Sequence, residues 1–93
     1  MNYKIRYTKS YQRRARKFLK QHPELKEQYR KTLKLLEVNP HHPSIHLHKL
    51  TGKFKDLYAV SINISYRIVL HFIFKEDTIV PISVGSHNEV YGN

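Results

Sequence analysis

The segment Ile79-Val80-Pro81-Ile82-Ser83-Val84-Gly85-Ser86-His87-Asn88-Glu89-Val90-Tyr91 delivers an imidazole and a phenol just beyond an apolar run. Gly85 accepts backbone conformations that β-branched Val84 does not, so a strand is expected to end at Val84-Gly85 and to set His87 at the rim of a sheet. An imidazole at that position suits proton transfer, because histidine titrates near neutral pH. Arg67 stands in the most hydrophobic stretch of the chain, Tyr66-Arg67-Ile68-Val69-Leu70-His71-Phe72-Ile73-Phe74, where a permanent charge needs a purpose. Further histidines lie in His41-His42-Pro43-Ser44-Ile45-His46-Leu47-His48. Two imidazoles and a guanidinium suffice for metal-free cleavage of RNA. A base activates a ribose 2′-hydroxyl, an acid protonates the leaving 5′-oxygen, and a cation stabilises charge on the phosphate. An aromatic such as Tyr91 stacks on an unpaired base or orients a phosphate through its hydroxyl.

The same residues also admit purely structural roles. Arg67 can form an ion pair with Glu89 or Asp56, Tyr91 can cover the end of the sheet, and His48 and His87 can be solvated loop residues. Four histidines in eight residues raise the question of a metal site. No cysteine and no carboxylate within that cluster completes a familiar ligand set, so neither a metal nor any other cofactor is expected.

The elements that must position these groups fit a single domain, residues 1–93, with room for a modest core. The balance of 17 Lys and Arg against 7 Asp and Glu gives +10 at pH 7, which points to a polyanionic partner, nucleic acid ahead of an acidic protein and a membrane surface last. The absence of cysteine excludes disulfides, thiolate metal sites and a cysteine nucleophile. Neither a signal-peptide core nor a membrane-spanning run is present, so a cytoplasmic protein is expected. Alternation predicts a strand over Tyr3–Tyr7, and Thr8 or Ser10 can cap the helix that follows. Tyr11, Ala15, Phe18 and Leu19 form one stripe of that helix, with Arg13, Arg14, Arg16, Lys17 and Lys20 around it. A second helix starts at Pro23, buries Leu25, Tyr29, Leu33 and Leu36, and stops at Asn39-Pro40. Strands are expected over Leu57–Asn63, Tyr66–Phe74 and Thr78–Val84, with Pro81 at an edge or a bulge. The expected fold is α+β: strand, two helices, three strands, in a twisted, mainly antiparallel four-stranded sheet with a helical hairpin on one face. The partner of the first strand is left open.

At Tyr66-Arg67-Ile68-Val69 and Val80 to Tyr91 the chain resembles the RelE/ParE toxin superfamily of bacterial type II toxin-antitoxin systems. Leu47-His48-Lys49-Leu50-Thr51-Gly52 and Gly85-Ser86-His87 are most similar to its YafQ branch. The resemblance spans nearly the whole chain and includes the element order. It implies a RelE-like toxin that cleaves messenger RNA in the ribosomal A site without a cofactor, leaving a 2′,3′-cyclic phosphate and a 5′-hydroxyl. It also implies an acidic antitoxin that wraps the toxin in a heteromeric complex. Residue by residue, it makes Arg67 the phosphate-binding arginine, His87 the catalytic residue at the exit of the last strand and Tyr91 the C-terminal aromatic near the substrate, and His48 matches the histidine before the short glycine turn. On chemical grounds His87 is expected to be the acid for the leaving 5′-oxygen, His48 the base for the 2′-hydroxyl, and Tyr91 the group that orients the nucleotide. His46, Lys49 and Tyr66 are further candidates for RNA contact. RelE-like members carry strand lysines where this chain has Ala59 and Ser61, and YafQ-like members carry an acidic residue and a tryptophan where it has Ser65 and Tyr66. The same fold also admits a ParE-like gyrase inhibitor, or a toxin that retains only antitoxin binding.

Overall fold

In the computed structural model, which describes residues 2–92, Thr8 ends the extended N-terminal segment. Its Oγ1 accepts the Tyr11 N–H at 3.0 Å and caps α1 (Lys9–Gln21), so the cap is Thr8 rather than Ser10. The predicted stripe is real: Tyr11, Ala15 and Phe18 are buried and Leu19 is half-buried. Pro23 opens a short 3-10 turn, Pro23–Leu25, that leads into α2 (Lys26–Val38). This second helix buries Tyr29, Thr32 and Leu36. Between the two helices the Tyr11 and Tyr29 hydroxyls share a buried hydrogen bond of 2.7 Å, which satisfies two polar groups inside the core.

The helices cover one face of a five-stranded sheet ordered β1-β5-β4-β3-β2. Its strands are β1 (Lys4–Ile5), β2 (His48–Lys49), β3 (Tyr58–Ser61), β4 (Tyr66–Ile73) and β5 (Thr78–Ser86). All neighbours run antiparallel except β1 and β5, which pair in parallel through Lys4–Thr78 and Ile5–Ile79. The partner of the first strand is therefore the last one. Val60, Ile62, Ile68, Leu70, Phe72 and Ile79 meet the buried stripes of the helices, as strict alternation along β4 requires.

The sheet departs from the sequence expectation in three places. It has a fifth strand, because the chain after Lys49 turns back through Thr51–Asp56 and lays His48 and Lys49 against Ala59 and Tyr58. The last strand, β5, runs two residues beyond Val84, with Gly85 still paired to Arg67 and Ser86 to Tyr66. A short helix, α3 (His87–Tyr91), then follows directly. Pro81 resolves as a bulge rather than an edge: Val69 faces Ser83 and Leu70 faces Pro81, so Ile82 is the extra residue. β5 lies inside the sheet, and the bulge there accommodates the missing donor of Pro81.

Candidate active site

Strand register puts His48 and Arg67 on one face. His48 faces Ala59, Ala59 faces Val69, and Arg67, two residues before Val69, lies between Ser61 and Gly85. Directly paired residues share a face and alternate residues share it too, so both side chains project from the side opposite the helices. Their neighbours on that face are small, Ala59, Ser61 and Gly85, which leaves space above the guanidinium.

His87 and Tyr91 enter over the same ground because α3 is fixed at its start. The Ser86 hydroxyl accepts the Glu89 N–H at 3.3 Å, and the Glu89 carboxylate accepts the Ser86 N–H at 2.7 Å, closing a capping box. The Ser86 backbone N–H is the main reason that the Glu89 carboxyl is held below the usual carboxylate range. Gly85 makes room for this arrangement. Its φ is +155°, and a Cβ there would stand 2.9 Å from Glu89 Oε1 and 3.0 Å from Glu89 Cβ. One helical turn after His87, Tyr91 packs against the imidazole with ring centres 4.5 Å apart.

These four residues line a single open cavity of about 500 Å³, together with Lys49, Leu50, Thr51, Lys53 and Phe54. Two details give it chemical character. His48 Nδ1 lies 2.9 Å from the His46 carbonyl oxygen, which can only accept, so Nδ1 carries the hydrogen and the neutral ring presents the lone pair of Nε2. Arg67 Nε is buried and has no hydrogen-bond partner. Nor does any described carboxylate pair with Arg67, which removes the structural ion pairs with Glu89 and Asp56 that the sequence left open. Arg67 lines the cavity with no carboxylate to neutralise it, and a fixed guanidinium charge there attracts an anionic oxygen.

Among the other candidates, Lys49 reaches the cavity, while His46 and Tyr66 do not. His46, at φ 49°, lines a separate hollow with Ser44, Ser61 and Asn63, and its bearing on the site is the carbonyl that orients His48. Tyr66 alternates with Arg67 and therefore lies on the helix side, its ring 4.6 Å from His22 and 5.4 Å from Phe18. It is a packing residue. Sequence reasoning missed Lys53 and Phe54, which follow Gly52 on the turn between β2 and β3. β3 carries Ala59 and Ser61 on this face, and the lysines that line the cavity are Lys49 and Lys53, at the edge of the sheet.

Comparison with known proteins gives a consistent result. The family model for the bacterial toxin YafQ of type II toxin-antitoxin systems matches residues 3–92. The crystal structure of YafQ from E. coli strain BL21(DE3) superposes with a TM-score of 0.79 at 14% identity, covering 97% of this chain and 99% of that one. YafQ in the E. coli DinJ-YafQ toxin-antitoxin complex gives 0.78 at 16% identity, with 99% and 100% covered. A copper-bound mutant toxin from Helicobacter pylori gives 0.66 at 27% identity, with 97% and 99% covered. Among the described residues of this chain no three of His, Cys, Asp and Glu come together as metal ligands. Among curated proteins no match was found. No helix among the described residues is long and apolar enough to cross a membrane.

Proposed function

The chain belongs to the YafQ family of bacterial type II toxins, and from that premise we propose that it is an endoribonuclease that cleaves messenger RNA through its own side chains. The observation that carries this reading is the cavity, where a histidine whose Nδ1 is held by a carbonyl, a second histidine, an aromatic ring and an arginine without a carboxylate partner converge. His48 Nε2 takes the proton of the ribose 2′-hydroxyl, whose oxygen attacks the phosphorus. His87 protonates the departing 5′-oxygen. Arg67 stabilises the charge that builds on the phosphorane, and Tyr91 orients the nucleotide. The products are a 2′,3′-cyclic phosphate and a 5′-hydroxyl, and no metal is required. A protein without catalytic purpose has no use for an oriented base beside an unpaired guanidinium.

The partner that accompanies this activity is an acidic antitoxin segment, because a surface of +10 attracts RNA of any sequence unless it is covered. The substrate is messenger RNA in the ribosomal A site and the compartment is the cytoplasm. Induced expression tests the reading: growth should stop, mapped messenger ends should carry 5′-hydroxyls, and co-expression of an adjacent acidic partner or the His87→Ala change should restore growth. Growth arrest with intact messages and inhibited gyrase supercoiling would reverse the assignment.

A further inference from the structure

The turn between β2 and β3 contributes two cavity residues that the proposed chemistry does not use, Lys53 and Phe54. The turn is firmly built. Gly52 takes the left-handed conformation at φ +65°, and Leu50 N–H donates to Leu57 O at 2.9 Å and Leu57 N–H to Phe54 O at 2.9 Å. Although Phe54 stands at this tip it is only half-exposed, because its ring packs on Tyr91 with centres 5.5 Å apart. Tyr91 in turn meets His87. Three rings, two from α3 and one from the turn, thus run along one wall of the cavity and end at Phe54. Lys53 Nζ stands 5.2 Å from the Phe54 ring centre, and no described carboxylate pairs with it.

A pair of rings packed only for stability would be shielded, whereas Phe54 keeps part of its surface on the cavity. With a cation over the ring, the part of Phe54 left open to the cavity suits an unpaired nucleobase and the phosphate attached to it. We infer that Phe54 and Lys53 form, with Tyr91, a binding subsite for the nucleotide on the 3′ side of the cut, Phe54 stacking its base and Lys53 holding the next phosphate. The side follows from His87. As the acid for the leaving 5′-oxygen it faces the 3′ nucleotide, and Phe54 is joined to His87 through Tyr91. The choice of side rests on the proposed nuclease roles, while the existence of the subsite does not.

The test uses hexanucleotide RNAs with 2′-fluoro riboses, which have no attacking hydroxyl and stay intact, each carrying one 2-aminopurine at a successive position. Wild-type protein should quench the fluorescence at one position. Phe54→Leu should abolish that quenching and weaken binding roughly 5- to 150-fold, the range for losing one base stacked on an aromatic ring. Phe54→Trp, which keeps a stacking face, should restore both. Lys53→Ala should lower the slope of log affinity against log salt by about 0.7, the value of one phosphate contact on a single strand, and Phe54→Leu should leave that slope unchanged. On a cleavable RNA the quenched position should be the nucleotide that acquires the new 5′-hydroxyl. Quenching at no position, or equal losses in the Leu and Trp variants with unchanged melting, would overturn the subsite even if the protein cuts RNA. Binding as described by a protein that never cuts would keep the subsite and remove the nuclease reading.

Discussion

Replacing Arg67 by methionine should move stability and activity in opposite directions. The change keeps an apolar stem between Ser61 and Gly85 and deletes a guanidinium whose Nε is buried without a partner. A buried donor left unsatisfied costs about 1–3 kcal/mol. Arg67 is half-buried and lines the cavity, so the lower end of that range applies and about 1 kcal/mol should be recovered. For a domain of this size that corresponds to a rise of about 4–8 °C in melting temperature. The cleavage rate should fall by about 10²–10³, the usual effect of removing one group that stabilises transition-state charge, or roughly 2.7–4 kcal/mol. Thermal melts followed by circular dichroism, paired with single-turnover cleavage, measure both quantities on the same preparations. Phosphate added to the buffer should raise the wild-type melting temperature more than that of Arg67→Met, because the guanidinium charge on the cavity wall attracts the anion. A variant that melts lower than wild type yet retains its cleavage rate would show that Arg67 serves the fold, and the reasoning from the orphaned donor would be wrong.

Glu89→Ala should cost about 1 kcal/mol by opening the capping box, and should slow cleavage because His87 and Tyr91 ride on the helix it holds. Gly85→Ala should cost a similar amount by displacing the Glu89 side chain, and the two changes together should cost less than their sum in denaturant titrations. Because the Glu89 carboxyl is lowered in the folded state from its ordinary 4.5, its stabilisation is fully present above that value. It should be lost as pH falls through the folded value, a loss that melts of Glu89→Ala against pH should lack. Tyr11→Phe should destabilise by about 1–2 kcal/mol by leaving the Tyr29 hydroxyl buried and alone, whereas the Tyr11→Phe, Tyr29→Phe pair should cost less than the two single changes summed. Burial raises both phenols, so the folded state keeps its protons above pH 10 while the unfolded chain loses them. Stability should therefore fall as pH rises past 10, and phenolate absorbance of this pair should appear only with unfolding.

Long periodic segments were legible without coordinates. The Tyr11-Ala15-Phe18 stripe, the Tyr29-Leu36 stripe and the alternation of β4 all carry enough residues for their period to stand out, and they build the core. Short elements were not legible for the same reason: β2 has two residues amid histidines, and α3 has five. The Ser86-x-x-Glu89 spacing is the local signal from which that helix could have been expected. The parallel pairing of β1 with β5 depends on both helices crossing over first, a contact between the two ends of the chain that no local pattern encodes. For the candidate site, the tail motif and the arginine strand led to His87, Arg67 and Tyr91. Tyr66 was named a candidate for RNA contact against strand parity, since whatever face Arg67 takes, its neighbour takes the other. Phe54 and Lys53 lay hidden because their meeting with Tyr91 is made by a turn and a sheet edge. The one local cue was a glycine followed by a cation and an aromatic ring.

The central claim is that this chain's own histidines and arginine use a ribose hydroxyl to break RNA. Its most direct test presents the purified protein, in EDTA, with two otherwise identical messages, one carrying a single 2′-deoxy sugar at the mapped cut site. Programmed ribosomes carry both messages if free RNA is not cut, with EDTA held at the level they tolerate. The account predicts that the all-ribose message yields a 2′,3′-cyclic phosphate and a 5′-hydroxyl, while the deoxy message is bound and remains whole. Cleavage of the deoxy message, or undiminished cleavage by the His48→Ala, His87→Ala double variant, would contradict it.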